Sequence, residues 1–239
     1  MKKSILFLLL TGCLLFQTST AMADYIYEIK AGDKIKFTNY NSVSGAGEFT
    51  WKADIKDGNG NFDDNFDDYV WQSFCVEKNE YVTKNTVYTV QGISGYAKAG
   101  GVDKLKYDSN GDPLSDETAW LYWNFSKKKL HGYDSSSTTH QASLQYLIWL
   151  LEGEIDSLPN NNFIDDNLIT DWRLDYSNSG WKNQGQVQVV NLGYFDTNNK
   201  WVGIQDQLIV GHMPEPGTMV LLGFGLIGMA GIGRKKLTK

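Results

Sequence analysis

Residues 69–93 read YVWQSFCVEKNEYVTKNTVYTVQGI and contain two segments rich in strand-forming residues. Residues 69–76 and 85–93 both favour β-structure, because Val, Tyr, Thr, Phe and Trp are enriched in strands. The polar stretch between the two segments indicates a strand pair. We therefore predict a β-rich fold in which Cys75 lies on or beside a strand.

Further strand candidates lie on both sides of this pair. Upstream, partial alternation of apolar and polar residues predicts strands within residues 25–37, around a turn at 31–33, and at 48–53. Downstream, strands are predicted at residues 185–192, 200–204 and 207–210.

Two helices are predicted between these groups of strands. The first follows Ser115, a suitable N-cap, and the second covers residues 139–152 and ends at Gly153. One buried face of the second helix is expected at Leu144, Leu147, Ile148 and Leu151. The sequence therefore predicts a mainly β fold: a β-sandwich-like single domain with a small helical insertion.

The first 23 residues have the three parts of a secretory signal peptide. A basic start at Lys2 and Lys3 precedes an apolar run, and Ala21-Met22-Ala23 forms a cleavage site. Export would use the Sec translocon and signal peptidase. A lipoprotein signal is an open alternative, because residues 10–13 (Leu-Thr-Gly-Cys) resemble a lipobox in which Cys13 would be lipidated.

The C-terminus also has three parts in a fixed order. Pro214, Glu215, Pro216 and Gly217 precede an apolar stretch at 218–233, and a basic end at Arg234, Lys235 and Lys236 follows. As a helix the stretch would rise about 24 Å, which can span a hydrocarbon core of about 30 Å if basic side chains snorkel. The basic end would stay cytoplasmic and leave the body outside. An ordinary single-span anchor is the alternative.

This order of parts resembles the PEP-CTERM sorting signal of Gram-negative bacteria. With the signal peptide at 1–23, the chain is predicted to consist of that peptide, an exported body at 24–212 and a sorting signal at 213–239. The resemblance implies that exosortase is a partner and that residues 218–233 hold the precursor transiently in the inner membrane. The expected destination is the cell surface or an extracellular matrix, as a biofilm protein associated with exopolysaccharide.

The charge of the body limits its partners. The whole chain has a net charge of −6, and without the ends the body has 16 basic and 27 acidic residues, a net charge of −11. Such a surface repels nucleic acid, so no nucleic-acid partner is predicted. No catalytic triad or carboxylate pair stands out, and we predict a protein that is not an enzyme and has no cofactor. Stacking by Trp and Tyr leaves a carbohydrate-binding module as an alternative.

Cys75 is the only cysteine of the body once the signal peptide is removed. A lone cysteine in an exported protein is buried, paired with another molecule, or used chemically. Gln145 lies beside the apolar face of the second helix. If that helix packed on the strand bearing Cys75, the thiol and the carboxamide could meet.

The segments Phe74-Cys75-Val76-Glu77 and Gln145 to Trp149 resemble the Cys and Gln motifs of surface thioester domains. The resemblance implies an internal thioester that acylates an amine on a target, and hence a covalent adhesin. Leu144 and Leu147 depart from the family pattern, which tends to have threonine and alanine there. The alternatives are a buried structural cysteine and an intermolecular disulfide.

An acidic loop at residues 57–64 has oxygen-bearing side chains at alternate positions, which Ca²⁺ favours. However, Phe62 occupies the place of the EF-hand glycine, and no glutamate closes the loop. We therefore interpret the loop as a solvated acidic turn and predict no metal site.

Overall fold

The computed structural model describes residues 29–43, 45–98, 111–198 and 201–211. The predicted signal peptide and sorting tail lie outside these ranges. Within them the strands are β1 (Lys34–Val43), β2 (Ala46–Asp54), β3 (Tyr69–Ser73), β4 (Val87–Ser94), β5 (Tyr96–Ala97), β6 (Asp112–Pro113), β7 (Val187–Phe195) and β8 (Trp201–Val210). The helices are α1 (Asp116–Ser126), α2 (Thr138–Leu151) and α3 (Asp166–Ser179). None of these helices has the length and apolar composition needed to cross a bilayer.

Six strands form one antiparallel sheet in the order β3-β2-β1-β4-β7-β8, and β5 and β6 form a small second sheet. The chain that follows β3 reaches the far edge of the large sheet. Cys75 forms an isolated bridge with Gln207 of β8, and the Leu208 amide donates to the Phe74 carbonyl at 3.1 Å. The two edges of the sheet therefore meet through these residues. The predicted mainly β, single-domain fold is confirmed.

The core consists of two apolar clusters that meet at α2. Successive side chains of an extended chain point to opposite faces. Phe74 therefore packs in the cluster that contains most of the buried helix side chains, whereas Cys75 packs in the cluster formed mainly by side chains of the large sheet. Helix α2 contributes to both, with Leu144 in the helix cluster and Trp149 in the sheet cluster. Gln145 lies on α2 between these two faces.

The two predicted helices are confirmed, including their caps. Ser115 caps α1 by accepting from the Thr118 amide. The apolar face of α2 is buried as predicted, with Leu151 partly buried. Three predictions need correction. The strands predicted at residues 69–76 and 85–93 do not pair with each other, because the chain after β3 crosses to β8; β3 pairs with β2, and β4 pairs with β1 and β7. The separate strands predicted at 200–204 and 207–210 are, within the described residues, parts of one continuous strand, β8 (Trp201–Val210), and the third helix was not predicted.

The sequence at both ends of α3 contains residues that typically cap helices. Asp165 is its N-cap and accepts from the amides of Asn167 and Leu168, and Gly180 ends it in the left-handed conformation with φ of 61°. Trp172 is fully buried, and its indole N–H donates to the His131 carbonyl at 2.6 Å. The many Asp, Asn and Ser residues of α3 lower its helix propensity. For this reason the sequence did not predict a helix here, although both of its ends carry capping residues.

Candidate functional site

Cys75 and Gln145 meet in the interior of the protein. The Cys75 amide donates to Gln145 Oε1 at 3.1 Å, and Gln145 Nε2 donates to the Cys75 carbonyl at 2.8 Å. The thiol Sγ lies 3.3 Å from Gln145 Oε1. The carboxamide is thus held beside the thiol by two hydrogen bonds to the cysteine backbone.

Both side chains are removed from water. Cys75 is 1% exposed and Gln145 is 0% exposed. Burial raises the pKa of the Cys75 thiol well above its usual value, and the negative charge of Glu77 adds to this rise. The indole N–H of Trp149 opposes both effects, because a donor close to the sulfur favours the thiolate. The thiol is therefore held neutral in its resting state.

A buried acidic network lies beside the site. Glu77 Oε2 accepts from the Asp206 amide at 2.6 Å, and Asp206 Oδ1 accepts from the Leu192 amide at 2.9 Å. Burial raises the pKa of Glu77 well above its usual value, and the neighbouring Asp206 raises it further. Neither carboxylate was predicted as a site residue. Their hydrogen bonds help to hold the chain around Cys75 against β8.

Two half-buried tyrosines, Tyr40 and Tyr146, pack against the cluster that contains Cys75. The Tyr40 hydroxyl donates to the Gly45 carbonyl at 2.5 Å, in the turn between β1 and β2. Burial raises the pKa of Tyr40 to about 12, and nearby Cys75 and Tyr146 contribute to the rise. The two rings are therefore partly exposed neighbours of the cluster that contains Cys75.

A separate cleft of about 780 Å³ lies where β2 and β3 face α1 and the chain after it. Its wall includes the rings of Tyr69, Phe125 and Tyr133, and the Tyr133 hydroxyl donates to Glu48 Oε2 at 3.2 Å. The volume is that of a small-molecule site. The sequence did not predict that these residues come together.

Residues 214–235 match the family model of the PEP-CTERM protein-sorting motif. The match includes Pro214, Glu215, Pro216 and Gly217 and the basic Arg234 and Lys235, and it ends one residue before Lys236. All of these residues lie outside the described ranges. No curated protein and no solved structure matches the chain.

The chain therefore carries an exosortase-directed sorting signal and is an extracellular or cell-surface protein. The match covers only the tail, so the activity of the body must be argued from its own geometry.

Proposed function

We propose that the body is a surface adhesin in which Cys75 and Gln145 form an internal thioester. The single observation that carries this proposal is the 3.3 Å approach of Cys75 Sγ to Gln145 Oε1 in a buried site. Adding the length of a carbonyl bond, the amide carbon of Gln145 lies no more than about 4.5 Å from the sulfur. For attack, the sulfur and this carbon must approach to about 3–3.5 Å.

Formation of the bond needs no cofactor. The sulfur adds to the amide carbon of Gln145, the C–N bond breaks, and the thiol proton leaves with the amide nitrogen as ammonia. The Cys75 amide, which donates to Oε1 at 3.1 Å, is positioned to stabilise negative charge on that oxygen during the attack. Burial disfavours the thiolate, so the high local concentration of the two groups has to supply most of the rate.

The thioester would then transfer the Gln145 acyl group to a partner. An amine of the target attacks the carbonyl carbon, the C–S bond breaks, and the product is an amide with a free Cys75 thiol. Each molecule reacts once and is not regenerated, so we infer that the protein is not an enzyme. Water exclusion by Tyr40 and Tyr146 would protect the thioester until a target arrives.

The destination proposed for the body is the exopolysaccharide matrix of a biofilm around a Gram-negative cell. This proposal is supported by the type of sorting signal. Before release, residues 218–233 would hold the precursor in the inner membrane, after export by the Sec translocon and cleavage by signal peptidase. Replacing Pro214, Glu215 and Pro216 by alanine should leave the precursor in the membrane fraction, and normal release of that variant would contradict this route.

The thioester is tested by the intact mass of the exported protein, recovered from the producing cells without reducing agents or amine buffers. The expected mass is one ammonia below the value calculated for the processed chain. Cys75→Ala should restore the calculated mass, whereas Gln141→Ala, at a buried glutamine one turn earlier on α2, should keep the deficit. A full mass with a titratable thiol would remove the thioester and leave a structural cysteine. A disulfide-linked species would instead favour the intermolecular alternative.

The aromatic cleft supports carbohydrate binding as a second candidate function. Aromatic rings stack on sugars, and Tyr69, Phe125 and Tyr133 are partly exposed in the wall of this cleft. Exopolysaccharide from the producing organism should retain the protein in a pull-down, and Tyr133→Ala should reduce the retention. Equal retention of the variant and the parent would argue against a site in this cleft.

A further inference from the structure

Three aspartates meet where β2 ends and β3 begins. Asp54, Asp63 and Asp68 each present one carboxylate oxygen, and these oxygens all lie within 4.8 Å of one another. We call them the acidic triad. Two oxygens that bind one Ca²⁺ at about 2.4 Å can be at most about 4.8 Å apart. The spacing of the acidic triad therefore fits a single shared ion.

A second observation concerns Asp54 alone. This residue is 0% exposed, and its Oδ2 accepts from the Asp64 amide at 3.1 Å. Its Oδ1 is buried and has no hydrogen-bond partner among the described residues. Burial raises the pKa of Asp54, and the charge of Asp63 raises it further, although backbone donors and Lys34 oppose this. An unpartnered buried carboxylate oxygen is costly unless a cation or proton satisfies it.

Two lysines on the strands beside this loop are paired with other carboxylates. Lys34 Nζ contacts Asp64 Oδ1 at 3.2 Å, and Lys52 forms an ion pair with Asp67. Within the described ranges, no ion pair joins a lysine to the acidic triad. The three carboxylates therefore face one another without a direct basic partner.

We propose that the acidic triad binds Ca²⁺. All three side-chain ligands are oxygens, which selects a hard cation, and carboxylates at the end of a loop suit the flexible coordination of Ca²⁺ better than the strict octahedron of Mg²⁺. The site differs from the sequence interpretation, which considered residues 57–64 and predicted no metal. Only Asp63 of the acidic triad lies in that window.

The bound ion has a structural role in this fold. The connection between β2 and β3 comprises the fourteen residues 55–68. Connections of this length without secondary structure are uncommon in compact domains. One Ca²⁺ on the acidic triad would tie the end of β2, the middle of the loop and the residue before β3 to a single point.

The test uses the full chain purified in detergent, stripped of metal with a chelator, and then titrated with CaCl₂ or MgCl₂ while the melting temperature is followed by tryptophan fluorescence. Ca²⁺ should raise the melting temperature, with half-saturation near roughly 0.1–1 mM, the range of extracellular modules. Asp63→Asn removes an exposed ligand charge and can keep the hydrogen bond that Asp63 Oδ1 accepts from the Asn65 amide at 2.8 Å. This variant should lose the response to Ca²⁺.

The matched control is Asp67→Asn, which removes another exposed carboxylate of the same loop that lies outside the acidic triad. It should respond to Ca²⁺ like the parent chain. The proposal is overturned if Ca²⁺ does not raise the melting temperature of the parent, if Mg²⁺ raises it equally at equal concentration, or if Asp63→Asn and Asp67→Asn respond alike. These outcomes do not depend on whether the thioester forms.

Discussion

Glu152 should make the stability of the protein depend on pH. Its side chain is 5% exposed at the end of α2, and its Oε1 accepts from the Ser115 hydroxyl at 2.7 Å. Burial raises the pKa of Glu152 from 4.5 to about 7, although hydrogen bonds from Thr118 and Ser115 oppose the rise. The folded protein therefore holds a proton on Glu152 between these two values, where the unfolded chain has released it.

The sign of the effect follows from this proton balance. Because the folded state binds more protons, the free energy of unfolding falls as pH rises from about 4.5 to about 7, and the contribution is fully present only below this window. A difference of 2.5 pKa units corresponds to up to about 3 kcal/mol. Glu152→Gln keeps an acceptor for Ser115 but cannot ionise, so it should lack this fall.

Urea denaturation of both proteins at pH 5 and pH 8, followed by tryptophan fluorescence, measures the difference directly. The variant should gain stability relative to the parent by up to about 3 kcal/mol between the two pH values. Titrating groups that do not interact with Glu152 contribute equally to both proteins and cancel in the comparison. Asp156→Asn, at an exposed position, should follow the parent. If Glu152→Gln showed the same pH dependence as the parent, the assigned effect of burial would be refuted.

Three further changes test the packing around the site. In a Cys75→Ala background, where no thioester can form and Gln145 keeps its amide, Gln145→Ala leaves the amide and carbonyl of residue 75 buried without their side-chain partner, and it should reduce the free energy of unfolding by about 2–4 kcal/mol in urea titrations; a loss below half of this would contradict that role. Tyr146→Ala should shorten the lifetime of the proposed thioester in water, measured by the return of the calculated mass with time, and an unchanged lifetime would show that Tyr146 does not shield it. Gly47→Ala would place a Cβ 1.9 Å from the Asn41 carbonyl oxygen. Strands β1 and β2 must then separate locally, which should lower the free energy of unfolding by about 1–3 kcal/mol. A melting temperature equal to that of the parent would contradict this close approach.

Features set by neighbouring residues were predicted well. Ser115 and Gly153 marked helix ends correctly, because caps satisfy backbone groups within a few residues. The buried leucines of α2 were predicted from their spacing alone. The exception is α3, where polar residues hid the helix even though Asp165 and Gly180 signal its two ends.

The acidic triad illustrates why the sequence did not predict the proposed metal site. A contiguous calcium loop at residues 57–64 would take all its ligands from that window, but two of the three proposed ligands lie outside it. Asp54 closes β2 and Asp68 precedes β3, so their approach depends on the antiparallel pairing of these strands. A pattern of consecutive residues does not contain this information.

The amino-acid sequence by itself determined the sorting signal, the β-rich class and the ends of two helices. Each of these depends on the order of residues along a short stretch of chain. Only the tertiary structure decided that Cys75 and Gln145, seventy residues apart, share one buried site. Their contact requires α2 to pack on the sheet at one position and the chain after β3 to pair with β8. Long-range packing of this kind depends on how many segments fit together at once, and no local pattern specifies it.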